Sequence, residues 1–199
     1  MMIEALQTVQ DSKRARILEG AMKVFLAYGY SRVTMDDIAR AAEVSRPALY
    51  LVFKNKAEIY RALGTLVLDA SVDAAAKVLA GEAPFAERAM AAIECSLIAL
   101  MKPVLESPHG AELLDMKNTL AGDLAAMWRE RLGKAFANAI AAEASRSGVD
   151  LAARGLTHAA LADLLLDGLE GMKSRVTNPE EHREGARRLV TVIGLALRP

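Results

Sequence analysis

Three helix-start signals fall within 22 residues, and they constrain this 199-residue chain more than anything else in it. Thr34 stands ahead of an apolar-periodic run with Asp37 three positions on. That is a capping box with Asp in place of Glu: one side chain takes the first free N–H groups and the other closes the turn. Ser45 opens the next run, and Pro47 lies in its first turn, where a missing N–H removes no helical bond. Asn55 opens the third, with Glu58 three residues later. Between them lie two short helices joined by a turn of about three residues. A longer helix stands on each side. The first spans roughly Ser12 to Tyr28, with Ile17, Ala21, Val24, Phe25 and Tyr28 on one stripe, Lys13, Arg14 and Arg16 at its head and Gly29 at its end. The second runs from Asn55 towards Leu79. This is the outline of a helix-turn-helix.

The rest of the chain is helical in style too. Ala and Leu dominate, only 5% of residues are aromatic, and no stretch alternates with period two. The expected fold class is therefore all-α. The later helices are expected at Pro84–Lys102, where Pro103 blocks the run, then a short one after Ser107-Pro108. Asn118–Ser145, Thr157–Val176 and Pro179–Leu197 follow. The start "TNPEE" supplies a polar cap, a first-turn proline and two carboxylates at the positive end of the helix dipole. A division near residue 60 is expected, with a helix-turn-helix domain over 1–60 and a second helical domain over 61–199.

Several function classes fall away. One cysteine, Cys95, excludes a disulfide framework and a Cys-rich metal site. His109, His158 and His182 have no metal-ligand spacing on a helix, so no metal is expected, nor any other cofactor. No nucleophile–base or acid–base pair emerges: Asp36-Asp37 and Glu180-Glu181 sit in helix first turns, where capping accounts for them. An enzyme is not expected. No run approaches 18 apolar residues and no signal peptide is evident, which points to a cytoplasmic protein without membrane contact. Net charge is zero, but residues 1–62 hold ten Lys/Arg against seven Asp/Glu, a surplus of +3. That permits a nucleic-acid partner at this end.

In a helix-turn-helix the second helix enters the major groove, and its first residues meet the base edges. Ser45 and Arg46 can donate there, Arg46 with two bonds to guanine O6 and N7. Pro47 offers rigid apolar contact, as to a thymine methyl. Lys54 and Lys56 are placed to meet phosphate.

The stretch "TMDDIARAAEVSRPALYLVFKNKAEIY" resembles the DNA-binding signature of the TetR family of transcriptional regulators, and the match extends from about Arg14 to Tyr60. The resemblance implies a TetR-like protein of about nine helices: a three-helix DNA-binding domain followed by a helical effector-binding and dimerisation domain. It implies that Thr34 touches phosphate from its cap, that Ser45, Arg46, Pro47 and Tyr50 face the groove or its walls, and that Lys56 meets the backbone. Leu51 and Val52 stand where the family has an aromatic residue and a histidine, and Glu43 where it has glycine. The last two helices are apolar nearly all round, and the resemblance implies that they pair with a second copy. A homodimer then reads an inverted repeat in double-stranded DNA. An effector pocket is expected between Pro84 and Ser145. Its expected lining is Cys95, Met101, Met116, Met127 and Trp128, with His109 at its mouth, and its ligand small and mostly apolar. The implied function is a repressor released by that ligand. The other reading is a dimeric helical interaction protein with weakened DNA binding.

Overall fold

The structure, a computed structural model, describes residues 13–173 and 178–199. The expected first residue of the first helix, Ser12, lies outside these, as do Val176 and Thr177. Among the described residues there are nine α-helices and no strand. They are α1 (Lys13–Tyr28), α2 (Met35–Ala41), α3 (Arg46–Tyr50), α4 (Lys56–Leu79), α5 (Phe85–Ile93), α6 (Ala99–Leu105), α7 (Gly110–Ser147), α8 (His158–Lys173) and α9 (Pro179–Ala196). Among the described residues no helix is long and apolar enough to cross a membrane. The chain folds into two compact units. One holds the described residues up to Ala70 together with Ala99–Ala126, and the other holds Ser71–Ile98 with Met127–Pro199.

The first unit is built around Ile17, Phe25, Ile38, Leu49, Phe53 and Ile59, all fully buried. α1 ends at Gly29, whose φ of +80° lies in the left-handed region, and whose N–H reaches the Phe25 carbonyl at 2.9 Å. All three cap signals are realised. The Thr34 hydroxyl accepts from the Asp37 N–H at 3.2 Å, and the Asp37 carboxylate takes the Thr34 N–H at 3.0 Å. Ser45 Oγ accepts from the Ala48 N–H at 3.3 Å, and Asn55 Oδ1 from the Glu58 N–H at 2.9 Å. The Glu58 carboxylate closes its box one residue early, on the Lys54 N–H at 2.8 Å. Between α2 and α3 the chain turns through Glu43 at φ +53°, the left-handed conformation that the usual glycine adopts without strain.

Lys56 clamps the turn between α1 and α2. Its ammonium donates to the carbonyls of Tyr30, Ser31 and Val33 at 2.8, 3.2 and 3.0 Å, and lies 4.5 Å from the Tyr30 ring centre. Tyr30 stacks in turn with Phe25 and Tyr60. The same turn is held from α7, where Glu112 Oε1 accepts from the Ser31 N–H at 2.6 Å. The Tyr60 hydroxyl donates to the Leu113 carbonyl at 2.6 Å, and burial pushes its pKa up to about 12.

Two sequence expectations need correction. The run from Pro84 is not one helix ending before Pro103. It breaks into α5, a π-turn over Glu94–Ile98, and α6, which contains Pro103. The π-turn restarts the hydrogen-bond pattern, and α6 proceeds without the one N–H that Pro103 lacks. A separate short helix after Pro108 followed by a new one at Asn118 is also not found. α7 runs through, with one non-helical residue, the buried Ala121 (φ −144°, ψ 25°). Arg61 occupies the break: its guanidinium donates to the Leu120 carbonyl and grips Asp123 with bonds of 2.8 and 2.6 Å. A side chain in the ladder is a recognised cause of a kink.

In the second unit the α7 stripe Trp128, Leu132, Phe136, Ile140 packs inward at four-residue spacing, with Ile93, Leu165 and Ile193 from α5, α8 and α9. Arg88 is buried and satisfies three groups at once: the carbonyls of Leu79 and Ala83, and Glu143 at 2.8 Å. It closes the end of α4, whose last carbonyls have no helical partner. Arg183 of α9 forks onto Glu94 of the π-turn with bonds of 2.9 and 2.8 Å, and that pairing holds the Glu94 carboxyl below its ordinary pKa.

Two outcomes are expected. A Cβ on Gly20 would meet the Ala42 nitrogen at 2.7 Å and the Ala41 carbonyl carbon at 2.8 Å, so α1 must part from the end of α2 to admit it. Gly20→Ala is expected to lower stability by about 1–3 kcal/mol in urea unfolding. The Arg61 hydrogen bonds draw the Asp123 pKa down from 3.8 to about 2. A carboxylate with a lowered folded pKa stabilises above its unfolded value and loses that contribution as pH falls through the folded one. The stability gap between wild type and Asp123→Asn is therefore expected to shrink as pH drops from 3.8 towards about 2, in matched unfolding curves.

Candidate nucleic-acid interface

α3 has five residues and cannot hold its shape by its own hydrogen bonds. Leu49 within it and Phe53 just beyond are fully buried among Ile17, Phe25 and Ile38. Arg14 of α1 lies over the Phe53 ring, 4.6 Å from its centre. This seat turns the other face outwards. Ser45, Arg46, Pro47, Tyr50 and, after the helix, Leu51 and Lys54 are all exposed.

Arg46 is oriented from two sides. Its Nη1 donates to Asp36 Oδ2 of α2 at 2.8 Å, and its guanidinium sits 5.6 Å from the Tyr50 ring centre. An exposed pair of this kind contributes at most about 1 kcal/mol, so an anionic partner could displace Asp36 at little cost. Sequence reasoning accounted for Asp36 as a first-turn acid and missed this bond, because residues ten apart across a turn carry no local spacing signal. Thr34 is exposed at the start of α2, but its hydroxyl proton is engaged by Asp37 Oδ2 at 2.6 Å. That bond is the leading cause of the lowered Asp37 pKa. The ammonium of Lys56 is engaged by three carbonyls, so it shapes the turn before it meets any phosphate. The groups open to a partner are thus those on and just after α3.

The six residues expected to bind an effector are not gathered in one unit. Met101, His109 and Met116 belong to the first, and Cys95, Met127 and Trp128 to the second. His109 lies beside the turn that follows α1: a Cβ on Gly29 would come within 3.2 Å of its ring. Met127 is 57% exposed and stands off the buried α7 stripe, because it lies one residue before Trp128 and so about 100° around the helix from it. Cys95 and Trp128 pack against the second core. The Cys95 thiol is pushed up by burial and bonds the Ala92 carbonyl at 3.3 Å, the state of an inert thiol. The Trp128 indole N–H donates to Ser71 Oγ at 2.8 Å.

Residues 17–63 match the family described as bacterial regulatory proteins, tetR family. Curated relatives include the transcriptional activator FasR of Mycolicibacterium smegmatis, 35% identical over 85 residues, which are 43% of this chain and 39% of FasR. The transcriptional regulator TtgR of Pseudomonas putida is 40% identical over 62 residues, 31% of this chain and 30% of TtgR. The match thus spans less than half the length of either relative. The crystal structure of the TetR-family repressor AlkX from Dietzia superposes with a TM-score of 0.56 at 16% identity, covering 95% of this chain and 99% of that one. At that identity the likeness speaks to fold. Residues 17–63 thus match the TetR-family DNA-binding domain, and over nearly its whole length the chain carries the all-helical fold of a TetR-family repressor.

Proposed function

We propose that this chain is a sequence-specific DNA-binding transcriptional regulator, acting as a homodimer on an inverted repeat and, as a repressor, released by a small apolar effector. The observation that carries the reading is the outward face of α3: Ser45, Arg46, Pro47 and Tyr50 exposed on a helix seated by Leu49 and Phe53. Ser45 and Arg46 offer donors to base edges, and Lys54 offers charge to phosphate. The surplus of +3 over residues 1–62 favours approach to a polyanion.

Dimer formation is supported by the last two helices. Leu164 of α8 and Val192 and Leu195 of α9 are exposed, while Leu161, Leu165, Val190 and Ile193 of the same helices are buried within the unit. A second copy would cover the open face, and two α3 helices would then stand about one helical turn of DNA apart, roughly 34 Å, or a multiple of it. The effector part of the reading is supported by the partly buried Met90, Cys95 and Trp128 at the edge of the second core, where soft side chains can repack around an apolar guest.

Two measurements test this. Binding to a duplex carrying the repeat is expected to weaken steeply as salt rises, with a linear log–log slope, and Arg46→Ala is expected to cost about 1–3 kcal/mol and relax one base position. Failure of every duplex tried at low salt would sink the reading. For the effector, Trp128 is the single tryptophan. An apolar compound that binds beside it is expected to shift its emission at the same concentration that lowers DNA affinity. A panel that moves neither signal removes the effector from the proposal.

A further inference from the structure

Leu51 is 85% exposed, the highest value for a large apolar side chain among the described residues. It caps the end of α3, and its N–H donates to the Pro47 carbonyl at 3.1 Å. Pro47 and Leu51 therefore stand one turn apart on the same face. Tyr50, 43% exposed, lies next to them. Val52, the neighbouring departure from the family pattern, turns the other way and packs against the core of Phe25 and Leu49. So the two departures are not alike: one packs against the core and one is presented to solvent.

The surroundings of Leu51 select its partner. Arg46 lies at one end of the apolar face and Lys54 at the other, both exposed. A partner must then supply negative charge at the flanks and something apolar at the centre. In the major groove of a duplex, the phosphates meet the first need. The apolar groups on base edges there are the C5-methyls of thymine. Resting on the DNA-binding reading above, we infer that Leu51, with Pro47 beside it, is a specificity-determining residue that reads a thymine methyl in each operator half-site.

The test begins with duplexes selected by the full-length protein from a random pool. Each thymine of the half-site is then replaced in turn by deoxyuridine, which removes the methyl and keeps the base pair. Wild type is expected to lose roughly fourfold in affinity at one position, the worth of one buried methyl-sized group. Leu51→Ala is expected to bind the thymine and uracil forms of that position equally, and Leu51→Met to restore the difference. Unchanged unfolding midpoints in both variants would confirm that the exposed site leaves the fold alone. The inference is overturned if no uracil position matters, or if Leu51→Ala keeps the same discrimination. Self-association that Leu51→Ala abolishes would assign the patch to a second copy and overturn it as well. Selection of no duplex at all would instead remove the DNA-binding reading, and this inference with it.

Discussion

The burial of two side chains, Leu49 and Phe53, is the constraint on which the exposed face of α3 depends. α3 is too short to persist alone. Each of these residues is fully buried, and each is worth roughly 1.5–3 kcal/mol of apolar transfer. They lie four residues apart, the Phe53 N–H reaching the Leu49 carbonyl at 3.0 Å, so one face of the segment is nailed down over its length. What remains free is the opposite face, and its chemistry can be chosen for a partner because the fold does not use it.

Around this seat, polar groups do the positioning. Three carbonyls of the turn after α1 point at one ammonium, that of Lys56, and a fourth polar group of the turn, the Ser31 N–H, goes to Glu112. Backbone groups in a turn lack ladder partners, and here charged side chains from α4 and α7 take that place. The same logic recurs at Leu79 and Ala83, whose carbonyls go to Arg88, and at Leu120, whose carbonyl goes to Arg61. Some arginines and lysines, such as Arg46 and Lys54, are exposed, while others, such as Arg61 and Arg88, complete backbone bonding where a helix ends or breaks.

The elements with strong local signals were legible in advance. Thr34, Ser45, Asn55 and Gly29 act within a few residues of themselves, through caps and a left-handed backbone, so the first four helices could be placed nearly to the residue. Spacings of three and four residues mark Leu120, Leu124, Met127, Trp128, Leu132, Phe136 and Ile140 as one inward stripe; of these Trp128, Leu132, Phe136 and Ile140 pack into the second core, whereas Met127 is exposed. Pro103 misled, since a proline normally ends a helix and the π-turn that restarts the pattern before it has no comparable signature. The site was legible as a list of exposed types around Ser45, but not as an arrangement. Nothing local tells that Arg46 leans on Asp36, that Lys56 turns inward, or that Leu51 faces out while Val52 faces in.

By itself the sequence determined an all-helical chain, a capped helix-turn-helix near its start and the residue types offered at the head of α3. Those properties follow from hydrogen bonds and periodicities that span four residues or fewer. Only the tertiary structure decided which cations reach solvent and which close a helix end, where α7 bends, and which side of α3 is exposed. Each of those depends on partners brought together from distant positions, as when Arg61 meets Asp123 across 62 residues of chain.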